Sequence, residues 1–327
     1  MKILVTGAAG YVGSYLINKL LEDERFADYE IVGVDNFLVG KKENYELIKK
    51  NGRVKLLQGD ICDREFVDDL LKDTEIVYHL AAISGVVQCN RNPMLAFKVN
   101  VEGTLNLLEN SAKKGVEYFI FPSSSAVYGN LSEDMAKEDM PTKPLNNYGA
   151  MKVSCEALCL GYYNSYGLGT VILRFTNIYG VGTYPKWRTV VSNFILRALK
   201  GEPLTIHGTG EQRRDFVHID DVIEIYKLVI TPKAKGETFN AGSGYTASVK
   251  ELAEIIKEIS SKKGKEVKIT FEKAREPKER TFGYDIGKLK SLGFKPKYDI
   301  RKGMKKTFGD IQNLIESCGI TEYQKEI

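Results

Sequence analysis

Cysteine and histidine are scarce in this sequence of 327 residues, and their scarcity excludes several kinds of site. The five cysteines form no C-x-x-C pair and no disulfide framework, so we expect reduced thiols and a cytoplasmic protein. The three histidines do not stand at ligand spacing, and Cys155 and Cys159, four residues apart, are better explained by packing on one helix face. The sequence therefore predicts no metal site.

Long apolar runs and a strong charge imbalance are also missing. No stretch reaches the roughly 18 apolar residues that a membrane-spanning helix needs, and the apolar run at residues 3–5 is too short for a signal peptide. Lys plus Arg number 47 against 43 for Asp plus Glu, which gives a formal charge of +4. Such a small charge does not favour nucleic-acid binding. We expect neither a membrane nor a nucleic acid as a partner.

The first half of the chain alternates short β-branched runs with longer segments of helical period. Predicted strands cover residues 2–6, 30–34, 53–58, 75–80, 117–122 and 170–174, and predicted helices cover 11–24, 64–72, 93–114 and 147–166. This alternation predicts an α/β fold with a doubly wound parallel sheet of the Rossmann type. The Gly-rich opening turn favours that fold over a barrel.

The second half has a different composition. Glycine, proline and aromatic residues cluster at 179–185, and charged helices are predicted at about 248–262 and 299–317. This composition is typical of a substrate-covering lobe made largely of loops. We expect a domain at 1–177 and a smaller α/β lobe at 178–327, with some segments of the second half returning to the first domain.

A glycine-rich turn follows the first predicted strand, with the spacing Gly7-x-x-Gly10-x-x-Gly13. Glycines where a strand meets a helix let the backbone approach a pyrophosphate, whose charge is met by amide N–H groups and the helix dipole. The turn alone is weak evidence, because tight turns also use glycine for conformational reasons.

An acid at the end of the second predicted strand, Asp35, supports a dinucleotide site. A carboxylate there can accept hydrogen bonds from the adenosine ribose and would repel a 2′-phosphate, which favours NAD over NADP. Asp60 stands where a third strand would end beside the adenine. Each could instead be an ordinary loop carboxylate, and Asp60 could serve as a turn or helix cap.

Tyr148 and Lys152 lie four residues apart on one face of a predicted helix and can act together. A nearby ammonium and a nicotinamide cation would lower the pKa of the phenol from about 10, so that Tyr148 could take a hydroxyl proton. Residues 123–125, three serines at a strand end, could hydrogen-bond the reacting oxygen. The Tyr148–Lys152 pair and the serines could also be structural. The catalytic interpretation is favoured because they are all predicted to meet at one edge of the sheet.

Several motifs in order carry a family resemblance. They are Gly7-x-x-Gly10-x-x-Gly13, Asp35, Gly59-Asp60, His79-Leu80-Ala81-Ala82, Asn100-Val101-x-Gly103-Thr104, Ser123 to Gly129, Tyr148-x-x-x-Lys152, Arg174 to Gly180, and Gly208-Thr209-Gly210-x-Gln212-x-Arg214-Asp215-Phe216. With them the chain resembles the extended short-chain dehydrogenases/reductases, in particular the NAD-dependent nucleotide-sugar epimerases and dehydratases.

The resemblance implies roles for individual residues. Catalysis would fall to Ser124, Tyr148 and Lys152. NAD would be bound by Gly7, Gly10, Tyr11, Val12, Gly13, Asp35, Asn36, Asp60, Ile61, Leu80, Ala81, Ala82, Asn100, Tyr148 and Lys152. The nucleotide sugar would be bound by Ser124, Ser125, Asn177, Arg214 and Arg275, with an ion pair to Asp215 as the alternative role of Arg214.

One departure from the family pattern narrows the chemistry. Related dehydratases carry an acid pair at this strand end, decarboxylases usually carry Glu where Ala126 stands, and 3,5-epimerising relatives carry Cys. The resemblance therefore implies C4 epimerisation of a UDP-hexose through a transient 4-keto sugar. The alternatives are a 4-dehydrogenase or 4-keto reductase, and a non-catalytic NAD-binding regulator. By analogy we expect a homodimer formed through the helices at 93–114 and 147–166.

Overall fold

The computed structural model describes residues 1–48, 52–131, 135–184, 186–187, 189–273 and 283–318. The predicted phosphate ligand Arg275 lies outside these residues. None of the helices within the described ranges combines the length and the hydropathy needed to cross a membrane.

Strands and helices alternate through the chain. The strands are β1 (Lys2–Thr6), β2 (Glu30–Asp35), β3 (Val54–Gln58), β4 (Thr74–His79), β5 (Tyr118–Ser124), β6 (Met135–Ala136), β7 (Thr170–Phe175), β8 (Asn177–Tyr179), β9 (Leu204–His207), β10 (Arg213–His218), β11 (Glu237–Ala241), β12 (Thr246–Ser248), β13 (Ile269–Glu272) and β14 (Gly283–Tyr284). The α-helices are α1 (Tyr11–Leu21), α2 (Lys42–Glu46), α3 (Arg64–Leu70), α4 (Val86–Arg91), α5 (Pro93–Phe97), α6 (Gly103–Lys114), α7 (Asn147–Tyr166), α8 (Val190–Lys200), α9 (Ile219–Leu228), α10 (Val249–Ser261), α11 (Gly287–Ser291) and α12 (Ile300–Cys318).

A seven-stranded parallel sheet of order β11-β7-β5-β4-β1-β2-β3 forms the centre of the described structure. The chain builds outward from β1 in one direction through β2 and β3, and in the other through β4, β5 and β7. Strand order therefore reverses between β1 and β4, where an α/β sheet opens a crevice at its carboxyl edge. The predicted doubly wound α/β fold is confirmed.

The side chains of β1 show why this strand lies at the centre. Ile3, Leu4 and Val5 are fully buried. Ile3 and Val5 enter one core with helices α1 and α9, whereas Leu4 enters a second core with α3, α6 and α7. Alternate residues of a strand point to opposite faces, so a strand apolar on both faces needs helices on both sides.

A smaller lobe forms a third core from α8, α10 and α12, with Phe194, Leu252 and Phe308 among its buried residues. Strands β8, β10 and β12 form one small sheet, and β9 pairs with β13 in another. The chain also returns from this half to the central sheet, because β11 pairs with β7. Residues of the smaller lobe and of the carboxyl edge of the sheet line one cleft.

The region predicted as one helix over 93–114 differs from expectation. It consists of α5 and α6 joined by a π-helical turn, Lys98–Glu102, and the preceding helix α4 was not predicted. The wide turn directs Asn100 inward, where its amide accepts from Ile83 N–H (2.8 Å) and donates to Ile83 O (3.0 Å). π turns often mark functional sites, and this one fixes the backbone that follows β4.

Candidate active site

A cleft of about 1020 Å³ lies along the carboxyl edge of the central sheet and is lined by residues of both lobes. Most of the residues predicted to bind a cofactor line it, namely Gly7, Gly10, Tyr11, Val12, Gly13, Asp35, Asn36, Ile61, Leu80, Ala81, Ala82, Tyr148 and Lys152. The Tyr11 hydroxyl donates to Gly180 O (2.9 Å), 169 positions away in sequence, and so ties the first turn to the smaller lobe.

The first turn needs its glycines. Gly7 has φ +68°, and a Cβ there would lie 2.7 Å from the backbone of Leu80 and Ala81. A Cβ on Gly13 would lie 2.2 Å from Gly7 O. Helix α1 starts at this turn without a side-chain cap and without an acidic residue in its first turn. Uncapped amides beside a close-packed glycine turn suit a pyrophosphate.

Asp35 has a second task that the sequence did not reveal. Its carboxylate accepts the Ala9 N–H (3.0 Å) and the Phe37 N–H (2.8 Å), so it helps to shape the glycine turn. Two hydrogen bonds leave lone pairs for further donors such as ribose hydroxyls. Burial raises the pKa of this carboxyl, against the lowering effect of the two N–H donors.

Two other predicted cofactor ligands lie behind the cleft lining. The Asp60 carboxylate accepts the Asn36 side-chain N–H (3.2 Å) and the Cys62 backbone N–H (2.8 Å), and so orients Asn36. Asn100 likewise does not line the cleft but holds Ile83, which does. Asp60 and Asn100 therefore do not line the cleft themselves, but each contacts a residue that does.

The candidate reacting groups converge from β5 and α7. Asn146 caps α7 by accepting the Gly149 N–H (2.9 Å), which starts the helix one residue before Tyr148. Gly149 lets this turn approach Ala126, since a Cβ would lie 2.6 Å from Ala126 O. Ser124 lies at the end of β5, near enough to Tyr148 to lower the pKa of its phenol. The structure therefore brings Ser124, Tyr148 and Lys152 together at the cleft.

The electrostatics of Tyr148 differ from our expectation of a lowered pKa. Burial raises the pKa of Tyr148 to about 12, although the nearby Ser124 hydroxyl lowers it. The Lys152 Nζ donates to Pro122 O (2.5 Å) and lies 6.0 Å from the centre of the Tyr148 ring. Burial also lowers the pKa of Lys152. A further positive charge in the cleft is needed to make Tyr148 a base near neutral pH.

The predicted substrate ligands are only partly brought together. Asn177 lines the cleft, and its side chain donates to Asp215 O (3.1 Å). Ser125 and Arg214 do not line it, and Arg214 donates to Arg213 O (3.1 Å). The Asp215 carboxylate accepts hydrogen bonds from Thr176, Ser243 and Gly244.

Several polar residues that line the cleft were not predicted from the sequence, among them Asn44, Lys41 and Lys186. Asn44 is buried and donates to Ala9 O (2.6 Å), while its Oδ1 has no hydrogen-bond partner in the described part of the chain. Lys41 and Lys186 bring cations to the cleft, and desolvation lowers the pKa of Lys186. The aromatic and glycine cluster at 179–185 was the one sequence signal near Lys186.

A second cavity, of about 450 Å³, adjoins the cleft and was also not predicted. Thr189 and Val190 line both spaces. Its other polar lining residues are Asn193, Arg197, Thr205, His207, Gln212 and Glu272. A bipartite ligand could therefore extend from the cleft into the smaller lobe.

Comparison with known proteins gives consistent matches. The family model for the NAD dependent epimerase/dehydratase family matches residues 3–242. A putative UDP-glucose 4-epimerase of Methanocaldococcus jannaschii is 35% identical over 95% of this chain and 98% of its own length. The dTDP-D-glucose 4,6-dehydratase of Mus musculus is 35% identical over 94% of this chain and 87% of its own.

Solved structures resemble the whole fold. A UDP-glucose 4-epimerase of Thermotoga maritima with UDP-glucose has a TM-score of 0.87 and 34% identity, covering 96% of this chain and 100% of its own. A UDP-glucuronic acid 4-epimerase of Bacillus cereus in complex with UDP-glucuronic acid and NAD has a TM-score of 0.86 and 33% identity, with the same coverage.

Replacing Gly13 by Ala should weaken NAD binding, because the new Cβ would collide with Gly7 O and open the turn. We expect Kd to rise by about tenfold or more, measured by calorimetry on protein stripped of nucleotide. Gly309→Ala in α12 is the matched control, since its Cβ would meet no heavy atom within 4 Å. An unchanged Kd for a folded Gly13→Ala variant would contradict the assignment of this turn to the pyrophosphate.

Proposed function

The chain belongs to the NAD dependent epimerase/dehydratase family, and within that family we propose that it is a nucleotide-sugar 4-epimerase acting on a UDP-hexose. It is an NAD-dependent enzyme of the isomerase class. Solved relatives at 33–34% identity are 4-epimerases in complex with UDP-glucose, or with UDP-glucuronic acid and NAD. Two relatives of similar identity are a dehydratase and a decarboxylase, so the chemistry of the cleft has to separate these activities.

The scarcity of acids in the cleft carries the proposal. Among the described residues that line it, Asp35 is the single carboxylate, and it contacts the glycine turn through Ala9. At the end of β5, where a dehydratase or decarboxylase of the family would place an acid, this chain has the methyl group of Ala126. A site with a tyrosine and a serine but no second acid suits removal and return of hydrogen at one carbon.

NAD fits the observed lining. The uncapped start of α1 would hold its pyrophosphate, and Asp35 and the unsatisfied Asn44 Oδ1 would accept from ribose hydroxyls. When bound, NAD supplies the acceptor and donor for the C4 hydrogen and adds positive charge to the cleft. We propose that the predicted cofactor residues act here, with Asp60 and Asn100 acting through Asn36 and Ile83.

The proton moves through this chain's own residues. Tyr148 takes the proton of the sugar 4-hydroxyl as the carbon is oxidised, and it returns that proton when the carbon is reduced. Ser124 hydrogen-bonds the same oxygen. Lys152 stabilises the phenolate, and the charge of the oxidised cofactor counteracts the burial that keeps the pKa of Tyr148 near 12. Between the two steps the 4-keto sugar must rotate in the site, so that hydrogen returns to the opposite face of C4.

The nucleotide sugar spans both lobes in this proposal. Residues 1–177 bind NAD and carry the reacting groups, whereas residues 178–327 mainly bind the nucleotide, with β11 returning to the sheet. The cavity that adjoins the cleft at Thr189 accommodates the nucleotide. Asn177 and Lys186 reach the substrate from the cleft, and Arg214 and Arg275 remain candidate diphosphate ligands.

We also propose a cytoplasmic homodimer. Helices α4 and α5 expose apolar side chains, with Val87 75% and Met94 77% exposed, and α4 packs against α7. A cluster of exposed apolar side chains on neighbouring helices favours burial against a second copy. Cys62, Cys89, Cys155 and Cys159 carry free thiols, which agrees with a reducing compartment.

The purified protein should convert a UDP-hexose into its C4 epimer without added NAD. The test is a panel of UDP-, GDP- and dTDP-sugars, with products identified by NMR and NADH followed by absorbance. An epimer without net NADH is expected. NADH that accumulates only when NAD is supplied would point to a 4-dehydrogenase, and a silent panel would favour a non-catalytic regulator.

Tyr148→Phe should lower kcat by about 10²- to 10⁴-fold, because the variant cannot accept the hydroxyl proton. Its content of bound NAD should stay at the wild-type level, measured by release in acid. Tyr166→Phe on the same helix is the control, since Tyr166 is 69% exposed, and it should keep full activity. Equal loss of NAD, folding and activity in Tyr148→Phe would show that Tyr148 is structural.

Light scattering after gel filtration should give the mass of two copies. Phe97→Glu, in the exposed apolar cluster of α5, should give the mass of one copy. Phe271→Glu in β13 introduces the same charge at another exposed phenylalanine and should leave the mass unchanged. A single-copy mass for the wild type would disprove the dimer.

A further inference from the structure

A buried ion pair lies directly behind the reacting groups. Glu156 of α7 and Arg174 of β7 have side chains only 6% and 7% exposed. Arg174 donates from Nε to Glu156 Oε1 (3.0 Å) and from Nη2 to Oε2 (2.8 Å). This two-pronged geometry fixes both side chains, and it is the arrangement that a guanidinium and a carboxylate form most strongly.

Glu156 also reaches the strand that carries Ser124. The hydroxyl of Ser123 donates to Glu156 Oε1 (2.5 Å), and Ser123 immediately precedes Ser124 in β5. One carboxylate thus joins α7, β5 and β7, the first two of which supply the reacting groups.

Helical spacing places Glu156 on the catalytic face of α7. It follows Lys152 by four residues and Tyr148 by eight, so the three side chains stack along one face of the helix. Lys152 is held at the same strand, through its bond to Pro122 O (2.5 Å). The contact of Glu156 with Ser123 therefore sets the position of α7 along β5.

The far side of the pair is fixed as well. Arg174 donates from Nη1 to the Tyr128 hydroxyl (2.9 Å) and to Glu138 O (3.1 Å). Tyr128 in turn donates to Asn240 Oδ1 (2.6 Å), and Asn240 lies in β11. The network has little freedom to shift, because every member has further partners.

We propose that Glu156 is a positioning residue for the reaction, holding the Tyr148 and Lys152 face of α7 in register with Ser124 through its bonds to Ser123 and Arg174. The proposal rests on the proposed 4-epimerase function for the roles of Tyr148, Lys152 and Ser124. It adds a residue that touches neither substrate nor cofactor and that acts through the geometry of those that do.

The charge of Glu156 acts on Lys152 as well. Burial lowers the pKa of Lys152, and Glu156 raises it. The other titratable groups around Lys152 are Tyr148, Cys155 and Cys159 on α7, Cys89 on α4 and His79 on β4. Burial raises the pKa of all three thiols and lowers that of His79 to about 3, so these groups are neutral near pH 7.

Glu156→Gln is the direct test, because the amide keeps the size of the side chain and removes its charge. We expect kcat to fall by about 10- to 100-fold with KM within about twofold, since geometry rather than binding is lost. Losing the carboxylate should also lower the pKa of Lys152 and move the alkaline limb of the kcat profile about one unit to lower pH. Ser154→Ala, on the outer face of the same helix, should change neither.

A variant with an unpaired buried Arg174 could fail to fold. The double variant Glu156→Gln, Arg174→Met (the paired variant) removes both charges, and melting curves show which of the two variants is folded. The kcat of the paired variant should also be lower than that of the wild type. A wild-type kcat, or a uniform drop without movement of the alkaline limb in Glu156→Gln, would overturn the proposal.

Hydrogen exchange separates this proposal from the proposed function. Amides of residues 147–156 should exchange faster in Glu156→Gln, or in the paired variant, than in Ser154→Ala. Unchanged exchange would refute the positioning role even in an active enzyme. If exchange is faster in Glu156→Gln but the wild-type protein epimerises no sugar, the 4-epimerase function is refuted while the positioning of α7 is supported.

Discussion

The parallel pairing of β1 with both β2 and β4 is the constraint on which the site depends. Because the chain leaves β1 in opposite directions on its two sides, the connections diverge and leave a crevice at the carboxyl ends of β1 and β4. The backbone of Leu80 and Ala81 then approaches Gly7 so closely that a side chain there has no room. A dinucleotide turn and a reacting centre on β5 and α7 follow from that one reversal.

Burial decides the electrostatics of this crevice. It keeps Tyr148 protonated, with a pKa of about 12, and His79 neutral, with a pKa of about 3. His79 bridges Thr6 and Thr104 by hydrogen bonds of 2.9 and 2.8 Å and so stays a neutral connector between β1 and α6. In a desolvated site with few fixed charges, the charge of a bound cofactor has a large effect. The same desolvation makes the pairing of Glu156 with Arg174 important, since neither charge could remain buried alone.

Local patterns predicted the parts of the fold that local physics determines. The predicted bounds of β1 and α7 agree with the structure. An uninterrupted apolar run defines β1, and α7 begins after an asparagine cap and ends at a glycine, so its ends are marked in the sequence. We expected some segments of the second half to return to the first domain but did not identify β11 as one of them, and the π turn at Asn100 was not predicted. Both features depend on contacts between segments that are distant in sequence.

In the site, too, features set by local sequence were predicted and features set by tertiary packing were not. Motifs located the glycine turn and the Ser124, Tyr148 and Lys152 group, which lie on sequence-local elements. They did not reveal Asn44, Lys186 or the second cavity, which reach the cleft only through tertiary packing of segments distant in sequence. Arg214 was predicted from a motif, yet strand β10 places it outside the lining.

The central claim is that hydrogen leaves and returns at a single sugar carbon within one active site. The most direct measurement uses a UDP-hexose labelled with deuterium at C4 and follows the label in the product by NMR. Our account predicts a C4 epimer that retains deuterium at C4, with none lost to water. Loss of the label to solvent, or its accumulation in released NADH without an epimer, would contradict that account.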